Sequence, residues 1–332
     1  MSFISIDNII QASERIQVHR TPIQTCTALN ELASVQGAPI ELFFKCELLQ
    51  KTGSFKFRGA SNAVALLSDQ EAANGVVTHS SGNHAQALAL AAKNRGIPAY
   101  IVMPTTTPDI KRAAVLGFGA TVIECQPIQS VREETAEKVK LETGATLIHP
   151  FNNPHVIAGQ GTIALELLSQ VEDLDAILIP VGGGGMLTGC AIAAKALKPG
   201  IKVFAAEPAA VNDTYRSFKT KQRAVNGVAK SVADGLLTNI GDIAYAGIEE
   251  NVNDVFTVSE KEIINAMELV WNRMKLCIEP SAAVGVAVTL YNQDFKQVVK
   301  KEGIKRIGVV LCGGNVDLVK ATELFQQYKK DI

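Results

Sequence analysis

The chain has 332 residues, 47% apolar and 20% charged, and its 32 lysines and arginines balance 33 aspartates and glutamates to a formal net charge of −1. A chain of this size buries one large core or two, and the even charge argues against nucleic acid or an anionic membrane surface as a partner. The N-terminal Met1-Ser2-Phe3-Ile4-Ser5-Ile6-Asp7 has neither the basic stretch nor the apolar core of a signal peptide, and the six cysteines show no Cys-x-x-Cys or zinc spacing. Reduced thiols in a cytoplasmic protein are the expectation.

Ser5 or Asp7 caps a predicted helix reaching about residue 16, and Thr21-Pro22 opens a loop after it. Residues 41–46 alternate apolar and polar as a strand does, and small residues over 59–67 read as a helix. Between them lies Lys51-Thr52-Gly53-Ser54-Phe55-Lys56-Phe57-Arg58, a Gly/Ser turn at a helix start. Lys56 stands between two phenylalanines, and a lysine desolvated by aromatics keeps more of its amine free to attack a carbonyl. The competing reading is a surface lysine at a helix start. Short units follow, with strands at 75–78, 99–103, 120–124 and 145–148 and helices at 85–95, 108–116 and 130–142. Strands and helices alternating over short links predict a parallel sheet covered on both faces, so residues 71–149 read as a small domain.

Pro150-Phe151-Asn152-Asn153-Pro154 punctuates the chain, and a helix is predicted over 156–168. The continuous apolar run at 176–181 has the pattern of a buried strand and leads into Gly182-Gly183-Gly184-Gly185, then a helical pattern over 186–194. The uncharged 176–194 stretch is long enough for a crude membrane test, but Pro180 and the glycines make it strand, turn and helix. Four consecutive glycines cost chain entropy, and the need that fits is a phosphate held by successive N–H groups at a helix N-terminus. No Gly-Lys-Ser/Thr follows, so this is not a Walker loop; a flexible hairpin is the alternative. A strand at 202–207, a mixed stretch over 208–250 with a basic run at 219–223 that reads as a solvated face, a strand at 254–258, helices at 260–274 and 280–290, and a strand at 306–311 complete the core.

A reactive lysine and a phosphate cup together point to pyridoxal phosphate, a cofactor with one aldehyde and one phosphate. Ser54-Phe55-Lys56, Ser80-Ser81-Gly82-Asn83-His84, the four glycines and Cys312-Gly313-Gly314-Asn315 occur in the order found in fold-type II pyridoxal-phosphate enzymes. Over nearly its whole length the chain resembles the serine racemase and serine/threonine dehydratase branch of that family, eukaryotic serine racemases above all. The resemblance implies a tryptophan synthase β-like fold of two open α/β domains, with residues 1–70 and 150–332 forming the large cofactor-binding domain and 71–149 the small mobile one. It also implies a homodimer, a small amino-acid substrate, and no regulatory domain after the core, unlike the feedback-inhibited biosynthetic threonine dehydratase.

Residue by residue, the resemblance makes Lys56 the Schiff-base lysine and base for the Cα proton, and gives the phosphate to Gly182, Gly183, Gly184 and Gly185 with Met186 beside them. Asn83 meets the ring hydroxyl, Phe55 packs on the ring and Cys312 faces the pyridine nitrogen. The substrate carboxylate falls to the loop Ser80, Ser81, Gly82, Asn83 and His84, with Arg132 near the cleft mouth. Ser81 bears on the activity, because racemisation needs a proton carrier on each face of a planar carbon and elimination needs one. Racemases of the family carry this second serine, where threonine dehydratases usually carry alanine. Without the resemblance, Ser81 and Asn83 are ordinary helix-start residues. Glu207 and Asp213, with the Val211 carbonyl, match a divalent-cation site whose hard oxygens suit Mg²⁺ or Ca²⁺. Lys51, Thr52, Gln86, Lys275 and Asn315 match a nucleotide site where ATP acts as an activator.

Three residues depart from the racemase pattern. Cys312 replaces a serine and matches animal-type serine dehydratases; a thiol is a weak partner for the ring nitrogen. Phe151 replaces an asparagine and matches threonine and hydroxyaspartate dehydratases, and Phe118 replaces a tyrosine of the nucleotide site. Racemisation of serine with accompanying elimination to pyruvate and ammonia is the expected activity, and an L-threonine/L-serine dehydratase or a threo-3-hydroxyaspartate ammonia-lyase is the alternative.

Overall fold

A computed structural model describes residues 4–35 and 38–329. Among the described residues ten strands form two sheets: β1 (Ile23–Gln24), β2 (Glu41–Cys46), β3 (Val76–His79), β4 (Ala99–Pro104), β5 (Thr121–Cys125), β6 (Thr146–Leu147), β7 (Ala176–Pro180), β8 (Lys202–Pro208), β9 (Asp254–Val258) and β10 (Arg306–Leu311). The larger sheet has the order β1-β2-β10-β7-β8-β9 and the smaller β5-β4-β3-β6. All pairings are parallel except that of β1 with β2, where Ile23 faces Lys45 across an antiparallel edge. In the larger sheet β7 is buried on both sides and has no exposed residue, whereas β2 begins with an exposed one. That is why residues 176–181 read as a continuous apolar run and residues 41–46 as alternation.

Each sheet has its own apolar core. Residues of β2, β7, β8, β9 and β10 pack with the helices Pro154–Gln170, Gly185–Leu197, Glu260–Met274 and Pro280–Tyr291. Two smaller clusters flank β3 and β4. The helix Lys56–Ala65 sends Phe57, Ala60, Ala63 and Val64 into a core of the smaller sheet. It crosses the helix Pro154–Gln170 so closely that a Cβ on Gly159 would lie 2.6 Å from the Cα of Gly59, which requires glycine there.

The same helix is tied to the larger sheet by a buried ionic quartet. Arg58 Nε donates to Glu47 Oε2 and Nη1 to Glu166 Oε1, both at 2.8 Å, while Lys45 Nζ reaches Glu166 Oε2 at 2.7 Å. Two cations and two anions balance, so no lone charge is left without a counter-charge in a low-dielectric interior.

The elements depart from the sequence reading in a few places. The helix expected from residue 59 begins at Lys56, because the turn is made earlier, by Lys51–Gly53, with Thr52 at φ 62°. Helices Thr27–Ala33, Asp69–Asn74, Gln293–Glu302 and Leu318–Lys329 were not expected, and 208–250 contains the helices Asp213–Thr220 and Asp242–Asn251. The 176–194 stretch is a strand and a helix start as read, and among the described residues no helix is long and apolar enough to cross a membrane. All six cysteines are free.

Candidate active site

The C-terminal ends of β3 and β7 face a cavity of about 730 Å³ between the two sheets. This is where ligands bind in open parallel sheets, because the loops that follow the strands converge there. The wall is formed by Phe55 and Lys56, by Ser80 to His84 after β3, by Gly182 to Leu187 after β7, and by Cys312 and Asn315 after β10. Arg132, from the helix Gln129–Thr143, completes the set of catalytic, cofactor and substrate residues expected from the sequence.

Lys56 stands at the first turn of its helix. Its Nζ donates to the Pro150 carbonyl at 2.9 Å and lies 5.1 Å from the centre of the Phe55 ring. Desolvation lowers its pKa to about 8, against smaller opposite pulls from Cys312 and Glu279. The amine is therefore far more available as a nucleophile or base near neutral pH than an ordinary lysine.

The four glycines form the turn between β7 and the helix Gly185–Leu197, whose opening N–H groups have no acceptor within the helix. Gly184 sits at φ +84°. A Cβ on Gly183 would run into the Phe151 ring, and one on Gly182 would lie 2.9 Å from Leu236 Cα. The loop lines the cavity and neighbouring residues leave no room for side chains on it. The sequence reading gave only a phosphate as the reason for the bare backbone, and not this crowding.

Asn83 opens the helix Asn83–Arg95, but its side chain does not cap it. Its Nδ2 donates to both carboxylate oxygens of Glu279, at 2.9 and 3.2 Å, and its Oδ1 accepts from Asn315 Nδ2 at 2.8 Å. Three histidines line the same wall. His84 Nε2 lies 3.1 Å from the Ile148 carbonyl and so carries the proton, and His149 Nδ1 accepts the Asn152 N–H at 2.9 Å. Burial first, then Lys56 for His84 and His79 for His149, lowers their pKa values to about 3 and about 4, so both are neutral at ordinary pH. His79, also depressed mainly by burial, offers its backbone carbonyl to Arg132 Nη2 at 3.2 Å.

An amine of low pKa, a glycine loop with free N–H groups, a buried thiol and a half-buried aromatic ring suit a group bearing an aldehyde, a phosphate and a heteroaromatic ring. Lys56 would take the aldehyde, residues 182–186 the phosphate, and Cys312 the ring nitrogen.

Glu207 and Asp213 lie outside this cavity, Glu207 on β8 and Asp213 at the start of the helix Asp213–Thr220, each 1% exposed. Glu207 accepts the N–H groups of Thr214 and Tyr215 at 2.9 and 2.8 Å; Asp213 accepts from Asn226 Nδ2 and the Ile240 N–H at 2.6 and 2.8 Å. Burial raises both pKa values, that of Glu207 to about 8 with the charge of Asp213 adding to it. Burial that disfavours both charged carboxylates is what a divalent ion would offset, and the pair forms a donor set such an ion fits, since each carboxylate oxygen keeps a lone pair. Val211 ends the short turn between them. Among the described residues no three His, Cys, Asp or Glu side chains gather as a metal cluster.

The five nucleotide-site residues are less concentrated. Asn315 bonds the Thr52 carbonyl at 2.7 Å as well as Asn83, and Gln86 is on the helix that packs against the Lys51–Gly53 turn. Lys51 reaches the Gln17 carbonyl, while Lys275 is exposed and bonds Asn272 beside it.

Sequence reasoning missed Glu279, Lys111, Asp234 and Ser281, all in the cavity wall. No motif surrounds Glu279; its one local sign is an acidic residue just before Pro280 at a helix start. Lys111 and Asp234 approach to 3.0 Å across the mouth, a contact between elements far apart in the chain that no local pattern announces.

Residues 15–313 match the family of pyridoxal-phosphate dependent enzymes. The serine racemase of Homo sapiens is 50% identical over 321 residues, which are 95% of this chain and 92% of that protein. The β-hydroxyaspartate dehydratase of Paracoccus denitrificans is 47% identical over 316 residues, 95% of this chain and 97% of that one. The crystal structure of serine racemase from Dictyostelium discoideum superposes with a TM-score of 0.88 at 49% identity, covering 95% of this chain and 99% of that one. This chain belongs to the pyridoxal-phosphate dependent enzymes of fold-type II, in the branch of racemases and ammonia-lyases.

Proposed function

We propose that this enzyme interconverts L- and D-serine and also converts serine to pyruvate and ammonia. The observation that carries the reading is the presence of Lys56 and Ser81 in the wall of one cavity, with a glycine loop suited to phosphate. When bound, the cofactor supplies an electron sink that makes the substrate Cα proton acidic. Lys56 takes or returns that proton from one side, helped by its low pKa. Ser81 serves the other side, and the N–H groups at residues 80–84, where a helix opens, receive the substrate carboxylate together with Arg132. A thiol at Cys312, held protonated chiefly by burial, keeps the ring nitrogen without a counter-charge, which suits proton exchange and elimination better than transamination.

A second reading is an L-threonine/L-serine dehydratase or a threo-3-hydroxyaspartate ammonia-lyase. It is favoured by Cys312 and by Phe151, whose ring packs against Gly183 in the cavity wall. Rates measured side by side on L-serine, L-threonine and L-threo-3-hydroxyaspartate separate the two. Dominant turnover of hydroxyaspartate with negligible D-serine would reject the first reading.

The same proposal includes Mg²⁺ or Ca²⁺ at Glu207, Asp213 and the Val211 carbonyl, where a cation would offset the burial of the carboxylates and, to a smaller degree, their repulsion. Either ion should raise the melting temperature of the wild type, and the rise should vanish in Glu207→Gln. ATP as an activator at Lys51, Thr52, Gln86, Lys275 and Asn315 predicts a melting-temperature rise with ATP that Lys51→Ala removes. We assign the protein to a reducing cytoplasm, in keeping with six free cysteines, and to a homodimer, which light scattering would test against a monomer mass. Residues 71–149 are taken as the unit that moves to close the cleft, a motion that substrate-dependent scattering would report.

A further inference from the structure

Glu279 is 4% exposed, lines the cavity, and forms no salt bridge with any lysine or arginine among the described residues. Its carboxylate instead holds one side chain, the Asn83 amide, at 2.9 and 3.2 Å. Asn315 Nδ2 holds the opposite end of that amide, 2.8 Å from Asn83 Oδ1, and is itself anchored 2.7 Å from the Thr52 carbonyl. The backbone fixes the pair further, because the Glu279 N–H donates to the Gly313 carbonyl at 3.1 Å and the Gly314 N–H to the Gly53 carbonyl at 2.9 Å.

These contacts decide which way Asn83 faces. An amide nitrogen has two N–H groups, and one of them shared between the two oxygens of Glu279 accounts for both contacts, leaving the other for a ligand. A flip of the amide would turn its oxygen toward the Glu279 carboxylate and its nitrogen toward the Asn315 amide nitrogen, so both contacts would become repulsive. Asn83 is therefore locked as a donor toward the cavity. A donor favours the anionic form of an oxygen that accepts from it, and an acceptor favours the protonated form.

We propose that Glu279 is a positioning residue which, through Asn83, holds the cofactor's ring hydroxyl in its deprotonated form. The claim rests on the cofactor seat assigned above and is independent of which amino acid is the substrate. The charged and titratable groups facing Glu279 are Asp234 and Lys111 at the mouth and Lys56 and Cys312 on the cavity wall; Asn83 and Asn315 are neutral.

The test is an absorbance titration of the holoenzyme over pH, without substrate. With the cofactor on Lys56, the form that keeps the proton shared between the Lys56 nitrogen and the ring oxygen absorbs at about 410–420 nm, and the form that has lost it at higher pH absorbs at shorter wavelength. Glu279→Gln should move the midpoint between the bands upward by about one pH unit or more, the size expected when a hydrogen bond to the charged form is lost. In an Asn83→Ala background the same substitution should move it by much less, because the route through Asn83 is gone. Asn315→Ala frees the other end of the amide and should shift the midpoint in the same direction, which keeps the proposal testable if Glu279→Gln does not fold. Unchanged midpoints in the variants that fold, or an undiminished Glu279→Gln shift without Asn83, would overturn it. Absence of any cofactor band in the wild type would overturn the cofactor seat as well, and so is distinguishable from failure of this proposal alone.

Discussion

Lys56 shows how much a single residue's surroundings matter. Flanking phenylalanines already marked it as desolvated, and the structure places its amine at the Pro150 carbonyl beside the Phe55 ring. Because its pKa is lowered to about 8, the neutral amine predominates above that pH rather than above 10.5. Labelling of the cofactor-free protein with an amine-selective reagent should therefore show Lys56 half-reactive near pH 8, well below the other lysines. A midpoint near 10 would mean that water reaches the amine freely. Glu279 has the opposite sign: burial, then the charge of Asp234, raises its pKa to about 7. A raised carboxyl pKa favours the folded state while the group is protonated, and that advantage fades as pH rises from about 4.5 towards 7. In the cofactor-free protein, Glu279→Gln should flatten the fall in melting temperature over that window. None of this was legible in sequence for Glu279, whose partners Asn83 and Gly313 are distant in the chain.

Elements with a clear period were legible and short ones were not. The strand Asp254–Val258, the helix Glu260–Met274 and the strand Arg306–Leu311 lie where the sequence put them, because apolar spacing and the capping residue Ser259 act locally. The helix Asp69–Asn74 has a full capping box, Ser68 with Glu71, but six residues are too few to display a period. The start of the Lys56 helix was missed because Gly53 and Ser54 read as a turn continuing to the lysine, whereas Phe55 is already in helical backbone at φ −54°. The four glycines were found, but the crowding that also requires them was not, since Phe151 and Leu236 come from other segments. Gly183→Ala should weaken cofactor binding at least about tenfold, or 1.4 kcal/mol. Adding Phe151→Ala should recover part of it by removing the ring the methyl group meets. A spectroscopic cofactor titration reads both; no recovery would mean that contact with the phosphate alone demands glycine at 183.

At the scale of the molecule, alternating strands and helices gave the α/β class, and the motif order gave fold-type II, both supported by the family match over residues 15–313. What pattern could not give is how the halves meet: the Gly59–Gly159 crossing, the Arg58 quartet and the Lys111–Asp234 contact all join segments far apart in sequence. That assembly brings Ser81, on the loop after β3, into the same cavity as Lys56. Racemisation needs a proton carrier on each side of the reacting carbon, and the proposal gives the second side to Ser81, so the central claim is a statement about Ser81. The most direct measurement compares Ser81→Ala with the wild type, following D-serine and pyruvate from L-serine in the presence of Mg²⁺. Loss of D-serine formation with pyruvate formation retained is the predicted result, and a wild type that yields pyruvate but no D-serine would contradict the account.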